Sequence, residues 1–280
     1  MGVQIVTDST ADIPKSMAQR LGIEIVPLKV HFKDKQFIDG VDIDSPTFFK
    51  MMRESKDIPT TSQVNPEEFE PIFRRIRDKG DEILGIFISS KMSGTAQSAF
   101  IARQTLGDEG IHLVDTGTVT FAEGLLVLEA VDMAKNGMDA ASIAARLEEL
   151  KTKCRLYAVV DTLEYLKKGG RLSPASAILG TVLNIKPIIT VEDGLVDAVG
   201  KARGTQKAFA WMEQQMEKTG QTLNGKRVAV GHSDSPEKLA QLKEWLFARW
   251  SPAETVVSEI GTVVGTHAGP GCTGFAFIED

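Results

Sequence analysis

Short apolar runs alternate with helix-length segments through the first half of the chain, and polar turns separate them. The clearest example is the apolar run at 83–88, which predicts a buried strand. A turn rich in serine and glycine follows it at 89–94, and then a segment typical of a helix. Strands separated by helices pair in parallel through right-handed crossovers. The first half is therefore predicted to be a mainly parallel α/β unit.

Helix-start signals occur at other points of the same alternation. Ser45-Pro46 and Asn65-Pro66 each place a capping residue before a proline at the first helical position. The run at 23–32 predicts one strand, with 36–43 as its hairpin partner. The other strands of this half are predicted at 3–6, 83–88 and 111–114, and the other helices at 12–21, 118–136 and 139–153.

After about residue 153 the pattern changes to α+β. Asp193-Gly194 between two apolar runs is a strong hairpin signal. Further strands are predicted at 156–160, 227–230, 255–260 and 275–278, with helices from 205 and 236. We therefore predict an α/β fold with two domains, a parallel α/β domain at 1–153 and a smaller α+β domain at 154–280. The two domains are expected to pack closely, with a ligand enclosed between and beneath them.

The overall composition excludes several classes of protein. The net charge of −6 disfavours a nucleic-acid-binding surface, which is normally basic. No apolar run approaches the length of about 18 residues that a membrane span needs. Cys154 and Cys272 are far apart, which predicts neither a metal site nor a disulfide framework. With no signal-type segment before the first strand, a cytoplasmic location is expected.

Three polar segments are candidates for a ligand site. The turn at 89–94 precedes a helix, where free N–H groups and serine hydroxyls suit an acidic oxygen, although the same serines suit an ordinary N-cap. A second hydroxyl-rich segment occupies 60–63. The third, at 265–271, surrounds His267 with glycines, which let backbone approach a ligand closely.

Familiar catalytic motifs are missing from the sequence. It has no phosphate-binding P-loop, no dinucleotide-binding glycine motif and no nucleophile elbow. Two basic, glycine-rich segments, at 167–171 and 200–204, contain Arg171 and Arg203. They fit either solvated surface charge or recognition of a phosphate, to which a planar guanidinium is well suited.

Five segments in their order along the chain resemble the DegV family. They are TDSTAD at 7–12, TTSQ at 60–63, SSKMSGTAQSA at 89–99, DTLEYLKKGGR at 161–171 and GTHAGPG at 265–271. They extend over nearly the whole chain, and their combination is far more specific than any one of them. The chain departs from the usual pattern at Val64, Met92, Ala96, Cys272 and Thr273, but no polar ligand-binding position is lost.

The resemblance implies a protein that encloses one long-chain fatty acid and needs no other cofactor. It implies a non-catalytic subunit of a bacterial fatty acid kinase, in which a separate ATP-dependent kinase subunit phosphorylates the bound acid to an acyl-phosphate. By position, Thr61, Ser93 and His267 would hold the carboxylate. Arg171 and Arg203 would lie near the ligand mouth and serve phosphoryl transfer or partner docking. Such a subunit has no membrane span, and transient contact with a membrane is compatible with the role.

Two other functions fit the same residues. One is a regulatory sensor that binds lipid but has no kinase partner, since a fold that binds a ligand does not determine which protein responds to the bound state. The other is a hydrolase with Ser93 as nucleophile and His267 as base. Large apolar residues that fit either the lining of a lipid tail or plain core are Phe48, Phe49, Met52, Phe87 and Phe121.

Overall fold

The computed structural model describes residues 2–55, 57–107, 109–178 and 185–280. Its strands are β1 (Val3–Asp8), β2 (Glu24–Val26), β3 (Lys29–Phe32), β4 (Lys35–Ile38), β5 (Thr60–Ser62), β6 (Glu82–Phe87), β7 (Ile111–Asp115), β8 (Cys154–Val159), β9 (Lys186–Glu192), β10 (Leu195–Ala202), β11 (Arg227–His232), β12 (Glu254–Glu259) and β13 (Thr273–Ile278). Its helices are α1 (Lys15–Leu21), α2 (Ser45–Glu54), α3 (Pro66–Arg77), α4 (Thr95–Leu106), α5 (Phe121–Lys135), α6 (Ala140–Leu150), α7 (Glu164–Lys168), α8 (Thr205–Lys218), α9 (Pro236–Phe247) and α10 (Thr262–Ala268). Single 3₁₀ turns lie at Ser9–Ala11, Lys151–Lys153 and Ser176–Ile178.

The first sheet is parallel, as predicted, in the order β2-β1-β6-β7. Successive residues of β6 point to opposite faces: Phe87 packs with α3 and α4, whereas Ile86 packs with α5 and α6. Helices therefore cover both faces, which explains why this strand is apolar throughout rather than alternating. Both predicted helices are present. The N-cap of α2 is Asp44, which accepts from Thr47 N at 2.9 Å, and not the predicted Ser45, whereas Asn65 is the cap of α3 and forms a capping box.

The predicted single strand at 23–32 is wrong. The chain forms β2 in the parallel sheet and then leaves it, and β3 belongs to a separate antiparallel sheet in the order β4-β3-β5. Pro27 lies between the two strands, and a proline has no N–H for the ladder and a fixed φ. In the small sheet Val30 lies opposite Thr61, which brings the segment at 60–63 beside β3.

The second sheet has the order β10-β9-β8-β13-β11-β12 and is mixed, with β11 and β12 parallel and the other pairs antiparallel. The predicted Asp193-Gly194 hairpin is confirmed, and both residues have positive φ, 47° and 76°. All six strands come from residues after 153. The outer face of the sheet packs on α8 and α9, where Phe209, Met212 and Trp245 are buried.

Helix α5 lies between the two larger sheets and packs against strands of both. Phe121 and Leu125 belong to the core shared with the inner face of the second sheet, whereas Leu126 and Val127 belong to the core under the first sheet. This division makes α5 buried on nearly every side. None of the helices in the described part of the chain combines the length and apolar character needed to cross a membrane.

Candidate functional site

A cavity of about 280 Å³ lies between the loops that follow β1 and β6 and the inner face of the second sheet. Apolar side chains provide most of its lining; they include Leu28, Phe121, Leu156, Ile189, Val196 and Ile260. Of the large apolar residues considered for a ligand tail, Phe121 lines this cavity, while Phe48, Phe49, Met52 and Phe87 are buried core residues outside its lining. An apolar cavity with few polar groups is typical of a small-molecule site.

Polar groups from four separate segments meet at this cavity. Thr61, Ser93, Arg171 and His267 all line it. Arg203 does not: it is exposed in the bend between β10 and α8. The structure thus brings together four of the five residues singled out from the sequence.

Ser93 lies in the predicted strand–turn–helix connection, between β6 and α4. Its Oγ is 2.9 Å from Thr95 Oγ1 and accepts from Thr95 N at 3.3 Å, so Ser93 supports the first turn of α4 and also faces the cavity. At Gly94 a built Cβ would lie 2.1 Å from Gln63 Oε1, so a larger residue there would displace the Gln63 side chain. Gln63 Nε2 donates to Ser98 Oγ at 2.9 Å, and this bond ties the segment at 60–63 to α4.

Thr61 lies on β5, so the second hydroxyl-rich segment is an extended strand rather than another helix start. His267 lies in the last turn of α10, and the glycine-rich run that contains it is therefore largely helical. The glycines allow close packing of that helix: a Cβ at Gly265 would lie 2.5 Å from the Phe49 ring. Thr61 Oγ1 and His267 Nε2 are 2.9 Å apart.

The surroundings of His267 decide which ring nitrogen carries hydrogen. Its Nδ1 is buried without a hydrogen-bond partner among the described residues, and a Cβ built on Gly169 would lie 2.1 Å from that nitrogen. An N–H buried without an acceptor is costly. We therefore assign the hydrogen to Nε2, which donates to Thr61 Oγ1. The hydroxyl hydrogen of Thr61 is then free to donate to another acceptor.

His267 is neutral in this position. Burial, followed by the positive charge of Arg171, lowers the pKa of the imidazole to about 4. The ring therefore stays uncharged at neutral pH and acts on Thr61 as a hydrogen-bond donor.

Arg171 holds two of the site's loops together. Its Nε donates to Met92 O at 2.9 Å, next to Ser93, and its Nη1 donates to Gly169 O at 2.5 Å, next to the His267 ring. The side chain is half-buried, and desolvation lowers the pKa of its guanidinium. Arg171 is the cation at the polar end of an otherwise neutral site.

The arrangement suits an anionic head group with an apolar tail. Ser93 Oγ and His267 Nε2 are bonded to Thr95 and Thr61 and not to each other, so the nucleophile–base pair of the hydrolase hypothesis is not formed. Within the described ranges no three His, Cys, Asp or Glu side chains are grouped to hold a metal ion.

Sequence reasoning missed three contributors to this site. Gly169 lies in one of the two basic, glycine-rich segments, and the His267 ring packs directly against it. Thr10 and Thr120 line the cavity although nothing about either residue marked a ligand contact. The motif that contains Thr10 was the available signal, since an acidic and hydroxyl-rich segment directly after a buried strand is unusual for plain core.

Comparisons with known proteins agree with this geometry. The family model described as the DegV family matches residues 2–280. A DegV domain-containing protein of Caldanaerobacter subterraneus subsp. tengcongensis is 38% identical over 277 residues, covering 99% of each chain. The solved structure described as fatty acid binding of a DegV family protein from Thermus thermophilus is 35% identical, covers 100% of both chains and has a TM-score of 0.93. The structure of DegV, a fatty acid binding protein from Bacillus subtilis, is 31% identical, covers 100% of both chains and has a TM-score of 0.88.

Proposed function

The chain belongs to the DegV family, and we propose that it binds one long-chain fatty acid, with the carboxylate at Thr61 and Ser93 and the tail in the apolar cavity. Similar structures over the full length of the chain are described as fatty acid binding. The observation that carries the proposal is the cavity itself, in which hydroxyls and one cation converge at the polar end of an apolar lining.

In this proposal Thr61 donates its free hydroxyl hydrogen to the carboxylate, and Ser93 supplies a second hydroxyl. His267 acts mainly through Thr61, because its Nε2 hydrogen already points to that oxygen. Neutral donors hold a carboxylate without neutralising it, so one oxygen stays available as a nucleophile. Each hydrogen bond to the charged acid contributes about 1.5–3 kcal/mol.

The tail supplies most of the affinity. Burial of a methylene is worth about 0.8 kcal/mol, so a sixteen-carbon chain gains on the order of 12 kcal/mol before the costs of association and ordering are subtracted. The head group then fixes the orientation of the acid and the tail fixes its strength of binding.

We further propose that the protein has no catalytic step of its own and presents the acid, in the cytoplasm, to an ATP-dependent kinase subunit that forms the acyl-phosphate. Arg171 supports this role because it lies in the cavity beside the loop of Ser93, where a guanidinium can face an incoming phosphate. Arg203 is exposed outside the cavity, which suits contact with a partner.

Two assays on one preparation test the proposal. Mass spectrometry of solvent-extracted protein should find about one fatty acid per chain, and the loaded protein should support acyl-phosphate formation with a cognate kinase and ATP. Arg203→Ala should keep its fatty acid and lose transfer, whereas Arg20→Ala, an exposed arginine on α1, should keep both.

The outcomes separate the alternatives. Protein that neither carries nor takes up lipid contradicts the binding function. Lipid retention with full transfer by Arg203→Ala removes that residue's role, and lipid retention with no transfer by any cognate kinase favours a sensor. Ester turnover abolished by Ser93→Ala would favour the hydrolase.

A further inference from the structure

A single hydroxyl joins two buried carboxyl groups beneath the cavity. Thr10 Oγ1 lies 2.5 Å from Asp8 Oδ1 and 3.0 Å from Glu123 Oε2. All three residues are completely buried. Asp8 ends β1, Thr10 lies in the turn after it and Glu123 lies in the first turn of α5, so the contact joins the first sheet to the central helix.

Both contacts of Thr10 Oγ1 can be hydrogen bonds only if one of the two carboxyl groups carries a proton. A threonine hydroxyl has one hydrogen and can donate to one of two carboxyl oxygens; the other contact is a hydrogen bond only if that carboxyl donates. Asp8 also accepts from Thr10 N at 2.9 Å and from Ile88 N at 3.0 Å. Three donors stabilise Asp8 as the carboxylate, so the proton belongs on Glu123, which donates to Thr10.

The charges around Glu123 favour the same assignment. Burial, and then the negative charge of Asp8, raises the pKa of Glu123 well above its ordinary value, and Asp12 acts in the same direction. Burial raises the pKa of Asp8 to about 6, and the nearby charge of Asp39 adds to this. The positive charge of Lys15 acts on Asp39, in the direction that lowers the pKa of that carboxyl.

Other ionisable groups on the elements that pack against α5 have partners elsewhere. Arg227 of β11 pairs with Glu129 and Asp132, further along the helix. The Cys154 thiol of β8 donates to Ala122 O at 3.5 Å, and Glu82 of β6 accepts from Ala140 N. On α6 and the turn after it, Arg146 pairs with Glu149 and Lys151 with Glu148. Arg155 of β8 pairs with Glu279, and His232 Nδ1 of β11 accepts from Ser235 N. The cations on these described elements are therefore paired away from Glu123.

The buried acids are connected to the walls of the cavity. Thr10 and Thr120 both line it, and Thr120 Oγ1 donates to Asp12 Oδ2 at 2.6 Å. Asp12 also accepts from Gly261 N at 2.8 Å, and Asp39 accepts from Thr262 N at 3.1 Å. These last two bonds hold the start of α10, the helix that carries His267.

We propose that Glu123 is a neutral carboxylic acid at neutral pH, and that loss of its proton at alkaline pH loosens the cavity and releases the bound ligand. Ionised Glu123 would leave Thr10 between two carboxylates with one hydrogen to share. The resulting repulsion acts on the segment after β1 and on the first turn of α5, which together line the cavity. The release step rests on the proposed function, because it requires a bound fatty acid.

The proton is tested directly by infrared spectroscopy of the whole protein labelled with ¹³C-carboxyl glutamate. A protonated-carboxyl band that shifts with the label should be present at neutral pH, disappear at alkaline pH and be missing from Glu123→Gln. Absence of the band in the wild type overturns the assignment. This measurement needs no ligand, and the spectrum of the wild type alone can overturn the assignment.

The switch is tested by retention of a labelled fatty acid as the pH is raised. Wild-type affinity should fall by up to about tenfold per pH unit above the pKa of Glu123, the limit for release of one proton. Glu123→Gln, whose amide N–H still donates to Thr10, should show a flat profile. Glu129→Gln on the same helix should behave as the wild type.

An alkaline loss of ligand that is equally steep in Glu123→Gln overturns the switch while leaving the infrared result intact. If neither the wild type nor Glu123→Gln holds fatty acid at neutral pH, the proposed function is overturned, and the release step with it. The infrared band still decides the state of Glu123 in that event.

Discussion

His267 Nε2 donates to Thr61 Oγ1 over 2.9 Å, although the two residues are 206 positions apart in the chain. The bond joins α10, which lies between strands β12 and β13 of the second sheet, to β5, which belongs to the first half. It orients the Thr61 hydroxyl so that its own hydrogen is available to a carboxylate. The head-group site is thus shared by the two halves of the chain.

Thr61→Val should weaken fatty acid binding by roughly ten- to a hundred-fold, because it removes one donor to a charged acceptor while keeping the shape of the side chain. Titration with a fluorescent fatty acid measures the change. Thr60→Val is the matched control, since Thr60 is exposed and does not line the cavity. Equal affinity in the two variants would contradict the role of Thr61.

Ser93→Ala should lower affinity by a similar factor and also cost stability, because Ser93 Oγ accepts from Thr95 N at the start of α4. Loss of such a hydrogen bond costs about 0.5–1.5 kcal/mol. Urea denaturation with and without ligand separates the two effects. Ser90→Ala, at an exposed neighbour, should change neither, and a purely structural effect of Ser93→Ala would argue against contact with the ligand.

Gly169→Ala should displace the His267 ring, because the new Cβ would lie 2.1 Å from Nδ1. Forcing an atom into a packed site costs about 1–3 kcal/mol, and ligand retention should fall with it. In a His267→Ala background most of this cost should disappear, since the obstructing ring is gone. Additive costs in the double variant would show that Gly169 acts through other neighbours.

His267 should make the protein less stable in acid. The folded state holds the pKa of the ring at about 4, below its ordinary value of 6.5, so the unfolded chain binds more protons between these values. Stability from this residue is complete above about pH 6.5 and falls by on the order of 3 kcal/mol as the pH drops to about 4.

Chemical denaturation of the wild type and His267→Gln across that range checks the sign. As the pH falls, the free energy of unfolding should decrease more in the wild type than in the variant. Asp8, whose pKa is raised to about 6, has the opposite effect on stability, but it is present in both proteins and cancels in the comparison. His112→Gln, outside the cavity lining, is the control. Parallel stability curves for the wild type and His267→Gln would contradict the buried neutral ring.

Sequence reasoning succeeded where the signal is local. The parallel strands, the start of α2 next to Pro46, the cap at Asn65 and the Asp193-Gly194 turn all depend on residues a few positions apart. It failed at 23–32, where Pro27 ends one strand and the chain continues in another sheet. The apolar pattern there suits either pairing, because both strands are half-buried.

The sequence by itself also identified the family motifs and four residues that do meet at one cavity: Thr61, Ser93, Arg171 and His267. Only the tertiary structure decided that His267 reaches Thr61, that Arg203 lies outside the cavity, and that Thr10 joins the carboxyl groups of Asp8 and Glu123. Hydrogen-bond partners and proton positions depend on distances of a few tenths of an ångström between distant segments. Those distances are set by how the sheets pack around α5, and no local pattern of residues encodes them.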